Sequence, residues 1–309
     1  MNGSSAKPAV GVIGLGIMGG AMAEALCAAD HAVCGYDIRP EARRRLKRAG
    51  GDPLASSTAV ARRCEIVITS LASGAALADA VQQIASAGRR GQVVIETSTL
   101  PLADKVRAMH ALRRRGIATL DCPISGTAVR MKEGAWTIFA SGSRSAFRRI
   151  LPVLNVFTAN VRHVGAYGNG TKMKFIANHL VAIYNVAAAE SLTLARKLKL
   201  DPQAVHALFG SSPVVGNGVL RLRGGLMVSH QYRPPTMKVA VWQKDMQVIG
   251  DMAKAVDCPV PLFSACVPIY NAAMAQGLAE ADTASVHEVL GAMAGLARRE
   301  PKRRSRRAA

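Results

Sequence analysis

The chain has 309 residues, half of them hydrophobic but only 4% aromatic, so it can bury a sizeable core made mainly of Ala, Val, Leu and Ile. No apolar run reaches about 18 residues, which excludes a membrane-spanning helix, and a strand pattern begins too early to leave room for a signal peptide. The net charge of +20 is compatible with nucleic acid, an acidic membrane surface or anionic metabolites as partners.

The chain opens with the pattern of a strand, a glycine-rich turn and a helix. The short apolar strand 10–13 is followed at once by Gly14-Leu15-Gly16-Ile17-Met18-Gly19 and then by apolar residues at helical spacing. In such a Gly-x-Gly-x-x-Gly pattern Gly14 makes the tight turn, Gly16 admits a pyrophosphate and Gly19 lets helix and strand pack closely. The helix N-terminus adds positive potential for phosphates. These features predict a dinucleotide site.

A second strand, 32–36, ends at Asp37, about twenty residues beyond the glycines. An acidic residue at this place accepts hydrogen bonds from the adenosine ribose and repels a 2′-phosphate. The sequence therefore favours NAD over NADP. Two alternatives stay open: Arg39 could cradle a phosphate, and Asp37 could be a turn residue before Pro40.

Strand and helix patterns then alternate as far as residue 140. The strand patterns cover 66–71, 92–96, 118–121 and 136–140; the helical ones cover 74–87 and 102–115, the second capped by 97–99. Such repeats predict a doubly wound parallel sheet with its ligand beyond the carboxyl ends of the strands. The residues expected there, against cofactor or substrate, are Leu71, Ala72, Thr99 and Ser125. A dehydrogenase is the leading hypothesis.

A run without Gly or Pro, residues 171–200, follows Gly168 and Gly170 and predicts a helix of roughly 45 Å that could join two domains. Lys174 and Asn178 lie four residues apart and so share one face of this helix. A lysine buried beside other cations loses proton affinity and can act as a general base. A lone lysine is more often solvated on the surface. The dinucleotide pattern favours the catalytic interpretation.

Helical periodicity continues after residue 200, with Asp201 as N-cap and Pro202 at the first helical position. The predicted helices cover 204–209, 219–226, 238–256, 264–276 and 286–297, and the predicted loops cover 210–218 and 227–235. No strand pattern interrupts them, so this half is expected to be all-α. The predicted domains are a dinucleotide-binding domain (1–165), a helical domain (166–296) and a basic tail (297–309).

Cysteine and histidine spacing argues against disulfides and metals. The six cysteines are neither clustered nor spaced as metal ligands, which indicates reduced thiols in a cytoplasmic protein. The seven histidines show no metal-site spacing, and His179 is expected to be a packed or surface residue. In the tail, seven Arg or Lys residues face Glu300 alone. We interpret the tail as disordered and solvated, with nucleic-acid binding left open.

Four segments together resemble the β-hydroxyacid dehydrogenases, the group of 3-hydroxyisobutyrate dehydrogenase and tartronate semialdehyde reductase. Two lie in the first half: the glycine turn with Ala21-Met22-Ala23, and Asp121-Cys122-Pro123-Ile124-Ser125-Gly126 through Gly134. Two lie in the second: Gly168-x-Gly170-x-x-x-Lys174-x-x-x-Asn178 and Lys244-Asp245. The resemblance covers residues 10 to about 290. It implies a Rossmann-type domain, a long interdomain helix, an all-α C-terminal domain, and a homodimer or homotetramer.

The resemblance also implies roles for single residues. Lys174 would exchange the hydroxyl proton while the hydroxyl carbon exchanges hydride with NAD, and Asn178 would hold the same hydroxyl. Ser125 and the backbone of Gly126 would bind the carboxylate of a small acid. The residues that would contact the cofactor are Thr99 and Lys244, with Leu71 and Ala72 along its path, beside the glycine turn Gly14, Leu15, Gly16, Ile17, Met18 and Gly19, and Asp37.

Three positions depart from the family pattern. Thr127 replaces a glycine and Met131 an alanine in the substrate segment, and Ala177 replaces the first Asn of a pair. A bulkier residue at a close-approach position can exclude familiar substrates. The reaction type is therefore predicted more firmly than the acid. Two alternatives remain: a reductase of a related imine or aldehyde, and a nucleotide- or nucleic-acid-binding protein that uses the basic tail.

Overall fold

The computed structural model describes residues 7–126, 131, 134 and 136–296. Thr127 and the tail 297–309 lie outside the described residues, so the predictions made for them stay predictions. The chain divides into two compact units, residues 1–174 and 175–309. The domain limits expected at 165 and 296 likewise stay predictions. In the part of the chain that the structure describes, no helix is both long and apolar enough to cross a membrane.

The first unit is built on a six-stranded parallel sheet in the order β3-β2-β1-β4-β5-β6. Its strands are β1 (Val10–Ile13), β2 (Val33–Tyr36), β3 (Asp52–Pro53), β4 (Ile66–Thr69), β5 (Val93–Glu96) and β6 (Ala118–Asp121). The central strand β1 pairs with β2 on one side and with β4 on the other, so the strand order reverses beside it. This reversal is where doubly wound sheets bind ligands. The predicted α/β fold class is confirmed.

Helices connect these strands. They are α1 (Ile17–Ala28), α2 (Pro40–Arg48), α3 (Ser57–Arg63), α4 (Gly74–Ala87) and α5 (Leu102–Arg113). Ser56 and Ser73 cap α3 and α4 with their side chains, as the N-cap rule expects. The expected cap of α5 by residues 97–99 is wrong, because its N-cap is Pro101 and no side chain caps it. Thr97 Oγ1 instead donates to the Thr69 carbonyl at the end of β4, and Ser98 Oγ accepts from the amide of Leu71, two residues after β4.

The strand predicted at 136–140 forms over Thr137–Ala140, but in a different sheet from the one expected. The short strands β7 (Ile124–Ser125), β8 (Thr137–Ala140) and β9 (Val161–His163) make a separate three-stranded sheet, in which β7 and β8 are antiparallel. Helix α6 (Arg144–Leu154) lies between β8 and β9 in sequence. The second sheet turns the chain back after β6 and places Ser125 on a strand edge.

The core of the first unit occupies both faces of the parallel sheet. Side chains alternate along the strands, so Ile66 and Ile68 pack into one buried cluster and Val67 into the other. Strands β1, β4 and β5 are buried along their whole length, as expected when helices cover both faces. Burial of this kind contributes about 25 cal/mol per Å² of apolar surface. The carboxyl ends of these strands are thereby held rigidly.

The described residues of the second unit form helices joined by loops, with no strand longer than the isolated bridge between Lys238 and Asp282. Helix α7 (Asn169–Lys197) enters it, and α8 (Pro202–Ser211), α9 (Gly225–Ser229), α10 (Val239–Ala255), α11 (Pro261–Ala275) and α12 (Val286–Met293) follow. Asp201 caps α8 as predicted, with its carboxylate accepting from the Gln203 amide. A π-helical turn, Leu220–Gly224, runs directly into α9. The expected loop 227–235 is therefore wrong over its first three residues, and the loop 210–218 begins only after Ser211.

Candidate active site

The glycine turn after β1 has the shape that a dinucleotide requires. Gly14 has a φ of +89°, and a Cβ at this position would clash with the carbonyl oxygen of Ser70. A Cβ at Gly16 would meet only the Arg39 guanidinium, 3.6 Å away, so the turn is open on that side. Helix α1 has no side-chain cap and no acidic residue in its first turn. Its first amides are thus available to a pyrophosphate, and the residues present fit NAD.

Asp37 closes the second strand as a fixed, ionised carboxylate. Its side chain is only 6% exposed; Oδ2 accepts from the Leu15 amide at 2.7 Å and Oδ1 from the Arg39 amide at 2.9 Å. The Arg39 side chain adds an ion pair at 3.2 Å. Burial alone would raise the pKa of Asp37, but these hydrogen bonds outweigh burial and hold that pKa below its usual value. The turn reading of Asp37 is too narrow, because its carboxylate also ties β2 to the glycine turn.

Three arginines surround this junction. Arg39 pairs with the Asp37 carboxylate, Arg43 donates to the Asp37 carbonyl at 2.6 Å, and Arg45 donates to the Leu15 carbonyl at 2.8 Å. These arginines belong to a basic stretch at residues 39–48, and their bonds brace the junction of the glycine turn with the end of β2. Their charge lies where a dinucleotide's phosphates would approach.

The carboxyl ends of β4 and β5 are joined by side chains. Ser98 accepts a hydrogen bond from the Leu71 amide at 2.8 Å, and Glu96 accepts one from the Ser98 amide at 2.9 Å. Leu71 and Thr99 are half-buried here, and Ala72 is exposed. The predicted cofactor contacts thus lie on neighbouring strand ends, with their backbone held by buried polar groups.

Ser125 lies half-buried at the end of β7, where it pairs with Thr137 of β8. Gly126 follows, exposed and with a φ of +137° that favours glycine. Met131 packs against the core cluster of the first unit. The two predicted carboxylate-binding residues are therefore accessible, whereas Met131 is partly buried against the core.

Helix α7 begins against the ends of two strands. A Cβ at Gly170 would clash with the carbonyl oxygen of Phe139 and would lie 2.8 Å from that of Asp121, so only glycine permits this approach. The Gly170 amide donates to Ser141 Oγ at 2.9 Å, and the Thr171 amide donates to Asp121 Oδ2 at 2.7 Å. Lys174 follows one turn later and is half-buried. The neighbouring Lys172 is exposed.

Within the second unit, Asn178 is 5% exposed and donates its amide to Asp245 Oδ2 at 2.9 Å. Lys244 lies on α10 beside Asp245, with its ammonium 3.9 Å from the other carboxylate oxygen. His179 stacks on Phe263, as its packed interpretation expected. The predicted Lys244-Asp245 pair therefore includes a residue that orients Asn178, a role that the sequence did not suggest.

A buried ion cluster was missed in the sequence. Lys105 is fully buried on α5, and its ammonium lies 2.6 Å from Glu96 and 2.7 Å from Asp121. Burial works to lower the pKa of Lys105, but the two carboxylates outweigh it and raise that pKa. Burial in turn raises the pKa of Glu96 in spite of Lys105. Lysines on amphipathic helices are usually exposed, so the sequence does not predict that Lys105 is buried. The only hint is an acidic residue at the end of each of β5 and β6, since buried acids need a partner of opposite charge.

A second cluster ties α12 to the segment after α9. His230 Nδ1 lies 2.6 Å from Glu288 Oε1, and the Tyr232 hydroxyl donates to the same oxygen at 2.7 Å. With His287, which burial keeps neutral by lowering its pKa to about 4, these side chains bring three potential metal ligands within 4.8 Å. His230 and Glu288 already bond to each other, so we interpret the cluster as structural. The expectation of no metal stays a prediction.

Comparison with known proteins covers both units. Residues 9–165 match the family model of the NAD binding domain of 6-phosphogluconate dehydrogenase. Residues 168–290 match the model described as NAD-binding of NADP-dependent 3-hydroxyisobutyrate dehydrogenase. Together the two matches span nearly all of the described residues.

Individual relatives are similar over the same length. The chain is 32% identical to L-threonate dehydrogenase of Cupriavidus necator over 289 residues, which cover 91% of this chain and 95% of that protein. It is 27% identical to 2-hydroxy-3-oxopropionate reductase of Escherichia coli K12, over 92% and 98% of the two chains. A structure of Mycobacterium tuberculosis 3-hydroxyisobutyrate dehydrogenase with L-serine superimposes with a TM-score of 0.83 at 26% identity, over 92% and 99%.

Proposed function

Since the chain belongs to the β-hydroxyacid dehydrogenase family, we propose which of its residues carry out hydride exchange between a small 3-hydroxy acid and a nicotinamide cofactor. The protein is an NAD(P)-dependent oxidoreductase that acts on a CH–OH donor and forms an oxo acid or semialdehyde. The named relatives are hydroxyacid dehydrogenases or reductases. They support this activity, and not imine reduction or nucleic-acid binding.

The glycine turn and the strand ends supply the cofactor site. The amides after Gly16 would receive the pyrophosphate, and Asp37 would accept from the ribose hydroxyls in exchange for part of its bonding to Arg39. Leu71, Ala72 and Thr99 line the strand ends, with Lys244 as a further contact. Because Asp37 is ionised, its charge disfavours a 2′-phosphate, and NAD is the preferred form. When bound, the nicotinamide accepts or supplies the hydride.

Lys174 is proposed as the general acid/base. When a hydroxyl-bearing carbon loses hydride it becomes a carbonyl carbon, so during oxidation the hydroxyl proton must pass to a nearby base. Lys174 is half-buried on α7, and its nitrogen can take that proton and return it during reduction. Asn178, one helical turn later, is proposed to hold the same oxygen, with Asp245 fixing its amide.

Ser125 and Gly126 are proposed to bind the substrate carboxylate. The Ser125 hydroxyl and the Gly126 amide are donors at an accessible strand end, and donors of this kind suit an anion. L-threonate is the first acid to test, because a 32% identical relative is named for it. 3-Hydroxyisobutyrate and 2-hydroxy-3-oxopropionate, for which other relatives are named, complete the panel.

The observation that carries the proposal is the half-buried Lys174, held one turn beyond a helix start whose amides are bonded to strand ends. The test is NAD and NADP reduction with L-threonate and 3-hydroxyisobutyrate, and NADH oxidation with 2-hydroxy-3-oxopropionate. Lys174→Ala is expected to lower kcat by at least about 10³-fold while NADH still binds. The exposed Lys172→Ala serves as the matched control. Normal turnover by Lys174→Ala would refute the assignment of the base.

We also propose a homodimer or homotetramer formed through the second unit. Large apolar side chains of this unit are exposed, among them Leu194, Leu198, Phe209 and Val214, with exposed fractions between 48% and 88%. Phe209 also helps to line a mostly apolar groove of about 320 Å³, together with Val215. Exposed apolar surface of this kind is often covered by a partner. All six cysteines are free, which supports the proposal of a cytoplasmic location.

A further inference from the structure

We propose that a buried cluster, formed by Lys105, Glu96, Asp121 and Thr171, fixes the first turn of α7 and so positions Lys174, the proposed base. Thr171 is the member of the cluster that lies on α7. The cluster lies wholly in the first unit and none of its members is more than 1% exposed. The proposal rests on the role assigned to Lys174 and adds positioning residues to it.

Thr171 makes three hydrogen bonds to the other members of the cluster. Its hydroxyl donates to Asp121 Oδ1 at 2.7 Å and accepts from the Lys105 ammonium at 2.9 Å. Its backbone amide donates to Asp121 Oδ2 at 2.7 Å. One side chain and one amide of the first turn of α7 are thereby fixed in three directions, which restrains both the rotation of the helix and its distance from β6.

Asp121 replaces the capping residue that α7 would otherwise need. The first amides of a helix have no partner within the helix, and a carboxylate at that end is further stabilised by the helix dipole. Here the carboxylate comes from the end of β6, and Ser141 supplies a second acceptor from the end of β8, for the Gly170 amide. Ser141 also donates to Asp121 Oδ2 at 3.1 Å. The start of α7 is therefore capped by the rigid sheet edge.

The same cluster extends to the predicted cofactor side. Glu96 pairs with Lys105, accepts from the Ser98 amide, and Ser98 accepts from the Leu71 amide. A chain of buried contacts thus runs from the loop after β4, through β5 and α5, to the first turn of α7. A single rigid assembly holds both the strand ends proposed to touch the cofactor and the helix turn that precedes Lys174.

Rigid support matters because proton transfer depends on geometry. A base misplaced by about 1 Å can cost roughly 10²-fold in rate even when the ligands still bind. Lys174 lies three residues after Thr171, on the turn that the cluster fixes. Loosening this turn should slow the chemical step while the dinucleotide site at the glycine turn keeps its affinity.

The test compares Thr171→Val, in which a methyl group replaces the hydroxyl, with Thr171→Ser, which keeps the hydroxyl and loses the methyl group. The control is Thr193→Val, a buried threonine of α7 in the second unit whose hydroxyl has no hydrogen-bond partner among the described residues. Hydrogen exchange of the peptide that covers the start of α7 needs no substrate. It is expected to be about tenfold faster in Thr171→Val and to return toward the wild-type rate in Thr171→Ser.

Turnover is then measured with L-threonate or the best acid of the panel, with and without deuterium at the reacting carbon. For Thr171→Val we expect kcat to fall at least about tenfold, the isotope effect on kcat to rise, and the Kd for NADH to stay within about twofold. Thr171→Ser should recover most of the rate. A purely structural role would lower the amount of folded enzyme without changing the isotope effect.

The outcomes separate this proposal from the proposed function. If Lys174→Ala is inert and Thr171→Val matches the wild type in exchange, kcat and isotope effect, the positioning role is wrong and the base assignment stands. If Lys174→Ala keeps its turnover, both are wrong. A slower chemical step in Thr171→Val that Thr171→Ser rescues and Thr193→Val does not show would support the positioning role of the cluster.

Discussion

At the scale of single residues, Asp37 serves the fold and is proposed to bind the cofactor ribose as well. It stabilises the glycine turn through the Leu15 amide and also presents an ionised oxygen to solvent-exposed Arg39. The depressed pKa follows from these bonds, so the carboxylate is charged at neutral pH. Its negative charge, rather than the shape of the turn, should decide between the two dinucleotides.

Asp37→Ser tests this cofactor preference. Without the carboxylate, repulsion of the 2′-phosphate is lost and Arg39 is released to meet it. We expect the ratio of kcat/KM for NAD to that for NADP to fall by at least about 30-fold, a change of about 2 kcal/mol. The measurement is steady-state turnover with both cofactors. Asp79→Ser, at an exposed position of α4, should leave the ratio unchanged; an unchanged ratio in Asp37→Ser would contradict the role of Asp37.

At the scale of elements, α12 depends on an uncharged histidine. His287 is fully buried, and burial lowers its pKa to about 4 against the weaker opposing attraction of Glu288. The unfolded chain binds the proton near pH 6.5, whereas the folded chain resists it until about pH 4. Stability contributed by neutral His287 is therefore complete above pH 6.5 and is lost as the pH falls from 6.5 toward 4.

We therefore expect the free energy of unfolding of the second unit to fall by roughly 1–3 kcal/mol between pH 7 and pH 4.5 in excess of the loss in His287→Gln. Urea unfolding would be followed by Trp242 fluorescence in a Trp136→Phe background, so that the signal reports on this unit. The exposed His110→Gln is the control and should keep the full loss. Equal pH dependence in all three proteins would contradict the prediction.

Elements with a clear period could be predicted from the sequence. β1, β4 and α4 follow from apolar runs and turn residues, and α8 from Asp201 and Pro202. The second sheet could not be, because two of its strands have only two or three residues and their pairing depends on distant segments. The position of β8 in that sheet is a tertiary outcome that periodicity does not contain.

The sequence indicated the residue types of the candidate site, but not the buried contacts that hold these residues in place. The motif around Lys174 indicated a base, but nothing local showed that Lys105 would be buried or that Asp121 would cap α7 from another strand. Likewise the bond from Asn178 to Asp245 joins residues 67 positions apart. Contacts of this kind depend on the fold that brings strand ends and helix starts together, which a single sequence does not display.

At the scale of the whole molecule, the exposed apolar residues of the second unit point to assembly. Leu194 and Leu198 lie on the last turns of α7 or just after it, and they are 58% and 62% exposed in the single chain. Leaving such residues in water is costly at about 25 cal/mol per Å². A partner copy, as in the proposed homodimer or homotetramer, would cover them.

Light scattering coupled to size exclusion tests this assembly. The wild type is expected to have two or four times the chain mass of 32.5 kDa, and Leu194→Glu with Leu198→Glu to shift toward the single-chain mass. A buried charge in an interface disfavours association because it must be desolvated. Ile38→Glu, at an exposed apolar residue of the first unit, should keep the wild-type mass. A monomeric wild type would refute the proposal.

The close contact of Gly170 with the ends of β6 and β8 has a consequence for how such an enzyme can change over time. The groups that hold α7 are buried and mutually bonded, whereas Ser125 and Gly126 stand at an accessible edge. If that edge binds the substrate carboxylate as proposed, mutations there can alter which acid is accepted without disturbing the support of Lys174, the proposed base. The arrangement separates what must stay fixed from what is free to diversify, so one scaffold can acquire new substrates in small steps.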